Sequence, residues 1–200
     1  GLVCHHHPDR CSRDKGGRQH TLLLDIPCKV QPMSNYRRLR VPGATWFFTV
    51  NLAEPGSTVL TDHIDLLREA YRVTASEHPI RCEAMVILPD HIHAVWTLPK
   101  GDADFSRRWQ KIKARFTHSS GLSGPRSRSM TEKREAGLWQ RRFWERMIRD
   151  AEEQRRAVDH CLSDPVRHGI VASVEDWPFS TVHRDRRAKV GESPILRGVA

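Results

Sequence analysis

Residues Glu83-Ala-Met-Val-Ile-Leu-Pro-Asp-His-Ile-His-Ala-Val-Trp-Thr-Leu98 decide how the rest of the chain is read. Met85 to Leu88 is a short apolar run, and Ile92, Ala94, Val95 and Trp96 resume it beyond Pro89-Asp90. Proline and aspartate between two such runs predict a pair of strands, 80–88 and 91–98, meeting at a tight turn. Side chains alternate along a strand, so His91 and His93 leave one face and Ile92 the other. Two imidazoles side by side on a rigid strand are a base for a divalent metal site. A lone His-x-His also arises by chance on a wet sheet face, so the pair needs the rest of the chain to decide it.

Working outward, Thr45-Trp-Phe-Phe-Thr-Val-Asn51 is aromatic and β-branched, which predicts a strand. Thr61 or Asp62 can cap a helix whose Ile64, Leu67, Ala70 and Tyr71 form an apolar stripe. Asp104 opens a second helix with Phe105, Trp109, Ile112 and Phe116 on one face. Arg107, Arg108, Lys111, Lys113 and Arg115 fill the other faces, as a solvated surface or as a track for phosphates. Residues 119–136 read as a mobile basic loop and 137–148 as a strand anchored by Trp139, Phe143 and Trp144. Asp150 and Glu153 have capping-box spacing for a third helix, expected to stop at Pro165. Strand, helix, strand, strand, helix, strand, helix predicts an α+β, ferredoxin-like antiparallel sheet with helices packed on it.

Two hundred residues suffice for one domain with a real core. The absence of any run of eighteen apolar residues predicts no membrane span. The formal net charge of +9 suits a polyanion partner, or simply a soluble basic surface. Five cysteines without Cys-x-x-Cys pairing, and no signal peptide, lead us to expect reduced thiols and a cytoplasmic protein. Cys82 and Cys161 read as buried small residues. Residues 1–32 differ in character: Cys4-His-His-His-Pro-Asp-Arg-Cys11 can chelate a metal but matches no zinc module. We expect residues 1–32 to be a disordered extension, or translated sequence upstream of a native start at Met33, followed by a domain over 33–183 and a basic tail over 184–200.

Leu88-Pro-Asp-His-Ile-His-Ala-Val-Trp96 resembles the metal-binding strand of the HUH family, and its closest likeness is to the REP-associated tyrosine transposases. The resemblance runs from about Met33 to about His183. It includes Gly43-Ala-Thr-Trp-Phe-Phe-Thr49, Ile112-Lys-Ala-Arg-Phe116, Leu138-Trp-Gln-Arg-Arg-Phe-Trp-Glu145, Asp164-Pro-Val-Arg-His-Gly169 and Asp176-Trp-Pro-Phe-Ser180, in the family's order. It implies an HUH transposase fold and a divalent metal, Mg²⁺ or Mn²⁺, held by His91, His93 and Asp164. It also implies single-stranded or hairpin (REP-like) DNA as partner, with no membrane, and a monomer or homodimer.

In that family a late helix carries a tyrosine four residues before the Asn of Tyr-x-x-x-Asn-Pro. The tyrosine attacks a DNA phosphodiester, leaving a 5′-phosphotyrosine and a free 3′-hydroxyl. Here the motif reads His160-Cys-Leu-Ser-Asp164-Pro165, so His160 stands at the catalytic position and Asp164 at the third ligand. Three roles are open to His160: the mark of a copy that binds DNA and no longer cuts it, a further metal ligand, or a nucleophile forming phosphohistidine. Of the two tyrosines, Tyr71 sits on an apolar stripe and Tyr36 in a basic entry segment suited to stacking on a base. Arg37, Arg38, Arg40, Arg107, Arg108, Arg141 and Arg142 are the candidate DNA contacts. His63, His78, His118, His168 and His183 read as surface or capping groups.

Overall fold

Thr45–Asn51 forms β1, and its alternation sorts the whole structure into two faces. Trp46, Phe48 and Val50 enter one core, whereas Phe47 enters another on the opposite side of the sheet. A short helix α1 (Val59–Asp62) and α2 (Ile64–Glu77) follow, then the hairpin of β2 (Arg81–Ile87) and β3 (His91–Thr97). Next come α3 (Phe105–Ser120), a short α4 (Arg128–Glu132), the edge strand β4 (Trp144–Ile148) and α5 (Ala151–Arg167). The computed structural model describes residues 38–184. The expectations for residues 1–32, Arg37 and the tail from 185 onward lie outside the described residues.

The sheet order is β2-β3-β1-β4, antiparallel throughout, which is the ferredoxin-like arrangement. β3 is therefore central, with β1 on one side and β2 on the other. α2 and α3 cover one face, where Trp96 is fully buried and stacks on Trp109 with ring centroids 4.2 Å apart. α5 covers the other face across β2 and β3, burying Phe47, Val86, Val95, Ala157 and Cys161. The larger core thus lies away from the face that carries the odd-numbered residues of β3. Replacing Trp96 by alanine should cost about 3–5 kcal/mol, a large share of the ~5–15 kcal/mol that holds a domain together. Urea denaturation checks it: the midpoint falls while hairpin-face chemistry on the other side of the sheet is unmoved.

Local capping follows chemistry in most places. Asp104 accepts from Arg107 N and Asp150 from Glu153 N, so both expected caps are real. The cap of α2 differs. Asp62 ends α1, its carboxylate taking the Thr58 hydroxyl at 2.6 Å, and His63 begins α2 without a side-chain cap. Pro165 does not stop α5, which runs on to Arg167. Proline only removes a donor toward the preceding turn, and the helix instead closes at Gly169, φ +66°, where Gly169 N bonds Val166 O and Ile170 N bonds Pro165 O. The expected loop 119–136 contains α4, and the expected strand 137–148 shrinks to β4, with a separate bridge from Trp139 to Leu52. Among the described residues no helix is long and apolar enough to cross a membrane.

Candidate metal centre

His91 and His93 leave the α5 face of β3, as strand alternation requires. In the register of β3 on β1, Asn51 faces His91 and Thr49 faces His93. Each ring is held by its inner nitrogen. His91 Nδ1 lies 2.6 Å from Asp90 Oδ1, and His93 Nδ1 lies 2.9 Å from Thr49 Oγ1. Asp90 is itself fixed, accepting Gly56 N at 2.7 Å. Anchoring Nδ1 in this way leaves Nε2 to face the site, which is how histidine ligands are usually oriented.

Both Nε2 atoms face Asp164. Each stands 3.3 Å from the same oxygen, Oδ2. Asp164 arrives from α5, whose docking brings Cys161 Sγ to 3.5 Å from the His93 carbonyl oxygen, toward which the buried thiol points. Burial would raise the Asp164 pKa, but hydrogen bonds from His91 and His93 outweigh it and hold the carboxyl well below its ordinary range. Burial also opposes charge on His91, yet its bonds to Asp164 and Asp90 prevail and raise its pKa. For the more deeply buried His93 the order reverses: desolvation wins and lowers it. A buried carboxylate between two oriented imidazoles is a donor set that fits a divalent cation in place of the shared protons.

His160 lies one turn before Asp164 on the same face of α5. Its ring is 5.6 Å from Phe47 and 5.8 Å from His93, centroid to centroid, and Arg167 donates to its Nδ1. Burial, then the charges of Arg167 and His93, push its pKa down to about 4, so it is a neutral imidazole at pH 7. His93, His160 and Asp164 bring ligand atoms within 4.8 Å of one another, and so do His91, Asp164 and His168. The sequence predicts a surface or capping role for His168. It does cap α5, and its Nε2 also lies 3.3 Å from Asp164 Oδ2. The signal was present: 160, 164 and 168 are successive turns of one helical face. Tyr71 is buried against Trp96 on the opposite side of the sheet, away from these groups, and Tyr36 lies outside the described residues.

The arginines divide. Arg40 and Arg107 are exposed and line an open groove with Lys111, Ser106 and Gln110. Arg38 is the first described residue. Arg141 and Arg142 are exposed before β4, Arg141 in an ion pair with Glu135 at 2.9 Å. Arg108 departs from its expected role as a DNA contact, because it is 1% exposed and its guanidinium is spent inside the fold. It bonds Asp102 at 2.6 Å and the carbonyls of Asp104 and Pro79. Part of the basic face of α3 is likewise structural: Lys111 and Arg115 pair with Glu77 of α2, and Lys113 bonds the Gln140 carbonyl at 2.6 Å.

Arg108→Ala is therefore expected to lower stability by about 1–3 kcal/mol at pH 7 while leaving the salt dependence of DNA binding unchanged. Its bond to Arg108 is the main influence on Asp102 and depresses that carboxyl, so the pair's contribution is complete above the ordinary value of 3.8 and is lost as pH falls below it. The stability gap between wild type and variant should narrow in acid without closing, since the two carbonyl bonds do not titrate. Denaturant curves at a series of pH values measure it.

No family profile matches the chain. A REP-associated tyrosine transposase of Escherichia coli K12 is 46% identical over 153 residues, covering 76% of this chain and 85% of that protein. The chain belongs to the REP-associated tyrosine transposases. A second relative, described as a putative REP-associated tyrosine transposase of Haemophilus influenzae Rd, is 40% identical over 171 residues, or 82% of this chain and 97% of that protein. The solved structure of a REP-associated tyrosine transposase bound to a REP hairpin is 41% identical with a TM-score of 0.70. It covers 84% of this chain and 98% of that one. The α+β sheet described above is thus the transposase fold of this family, and the His and Asp groups on its α5 face sit on β3 and on α5.

Proposed function

We propose that this chain binds single-stranded DNA folded into a REP-like hairpin and seats one phosphate at a divalent cation held by His91, His93 and Asp164. The observation that carries the reading is the convergence of both Nε2 atoms on one Asp164 oxygen, each ring anchored from behind by Asp90 or Thr49. Support comes from the relative described as bound to a REP hairpin. When bound, Mg²⁺ or Mn²⁺ would polarise the phosphate. The chain's own residues do the rest. Asp90 and Thr49 fix the ligand rings, Asp164 supplies the one negative charge that faces the ion, and Arg40, Arg107, Arg141 and Arg142 offer exposed charge to the phosphate backbone.

His160 stands where the family's motif places the tyrosine nucleophile, and no described tyrosine reaches the centre. We read the chain as one that holds hairpin DNA without the tyrosine cleavage step. A 5′-labelled hairpin oligonucleotide incubated with the full chain and Mn²⁺ should be bound, with affinity falling as salt rises, and should remain uncut. Strand cleavage by the chain as it stands, abolished in His160→Ala, would overturn the binding-only reading and assign His160 as a nucleophile.

A further inference from the structure

Trp144 departs from the packing role that its place in the sequence predicts. It is 37% exposed, whereas Trp46, Trp96 and Trp109 are each at most 1% exposed. Strand register says where it stands. On β4 it pairs with Thr49 of β1, and Thr49 pairs with His93 of β3, so the three side chains form one row across the α5 face. With ~4.8 Å between neighbouring strands, the backbone of Trp144 lies ~10 Å from that of His93. The inner end of this row is buried under α5, and the outer end is open to solvent. Buried Phe47 lies beside the row, and the rings of Trp144 and His160 both stand steeply to it. Their centroids are 5.9 and 5.6 Å from that of Phe47, with interplanar angles of 72° and 64°. Trp144, Phe47, His160 and His93 thus make a run of rings leading from solvent to the Asp164 carboxylate.

We propose that Trp144 is the platform on which one base of single-stranded DNA stacks, beside the phosphate seated at the cation site. The inference rests on the proposed hairpin binding and deepens it by assigning a base subsite. An exposed indole face suits any nucleobase, because every base has a π-face, so the subsite holds a nucleotide without reading its identity. Charge points to the same occupant. Arg155 and Arg156 of α5 pair with Glu152, and Arg146 of β4 pairs with Glu153. Arg167 is different. It donates to the His160 ring, and its closest carboxylate oxygen among the described residues, on Asp164, is 3.9 Å away. Its guanidinium is therefore left to meet an incoming anion on the side of the sheet that carries the indole. A flat apolar ring joined to a phosphate satisfies Trp144 and Arg167 together, which an apolar protein surface alone does not.

The test measures affinity of the full chain for a labelled hairpin oligonucleotide with thymidine flanks, in which abasic sites replace the flank nucleotides one at a time. One abasic position should weaken wild-type binding about 5–100-fold, the range that loss of one stacked base costs. Trp144→Leu keeps an apolar cover on Phe47 and should weaken binding of the unmodified hairpin by a similar factor. At that one position it should be indifferent to the abasic site, and Trp144→Phe should recover most of the affinity. The salt dependence of binding should be the same in Trp144→Leu as in wild type, since no phosphate contact is lost. Salt-dependent hairpin binding that ignores both the abasic sites and Trp144→Leu would overturn the stacking subsite and leave the hairpin reading standing. So would equal loss from the abasic site in Trp144→Leu and wild type. A dimer that becomes monomeric in Trp144→Leu, with DNA affinity unchanged, would overturn it in favour of a contact between copies of the chain. No hairpin binding by the wild-type chain would overturn the proposed function and the subsite with it.

Discussion

His160→Tyr is expected to switch on covalent attack on hairpin DNA. The substitution returns a phenol to the helical turn before Asp164, beside His93, where the family's motif carries its nucleophile. Arg167, which now donates to the His160 ring, would favour the phenolate, since a neighbouring cation lowers a phenol's pKa. Removing a nucleophile from an otherwise assembled site typically costs several powers of ten in rate, so restoring one should raise strand cleavage by at least about 10³-fold. The readout is a protein–oligonucleotide adduct on a denaturing gel, dependent on Mn²⁺, with release of a free 3′-hydroxyl strand. Hairpin binding without any adduct would mean that the centre has lost more than its nucleophile.

Asp164→Ala should abolish cation binding, an effect larger than that of any single histidine. Asp164 is the one formal negative charge in the donor set, and three imidazoles converge on its Oδ2. Without it those rings face one another across an uncharged gap, so ion affinity should drop by more than the ~10–100-fold that loss of a supporting partner costs. Asp164→Asn, which restores the amide of the family's motif, should recover part of the binding. Calorimetry with Mn²⁺ on the two variants separates charge from shape. Equal affinity in Asp164→Ala and wild type would show that the ion, if bound at all, sits elsewhere.

The strands and their facing were legible in the sequence because a period of two in Trp46-Phe-Phe and in His91-Ile-His-Ala admits one register against a buried core. The convergence of Asp164 on the histidines was legible only through the family's motif, since 71 residues separate it from His93 and no local rule spans that distance. Arg108 shows the limit of reading charge by position. It sits among basic neighbours on α3, and only the fold reveals that the turn at Asp102 and the carbonyl of Pro79 enclose it. Pro165 shows another limit. A proline forbids one hydrogen bond, and whether a helix continues past it depends on what terminates the chain further on, here Gly169. The approach of His168 to Asp164 has no local signature of its own: a histidine at a helix end already has a sufficient explanation in the dipole.

The central placement of β3 has a further bearing. His91 and His93 sit on a strand hydrogen-bonded on both sides, whereas Asp164 and His168 ride on a helix tethered through the five-residue outermost strand. One half of the site thus belongs to the sheet itself and the other half to a helix docked on it. An ion held by both halves would tie them together, so metal binding would stabilise the seating of α5 against the sheet.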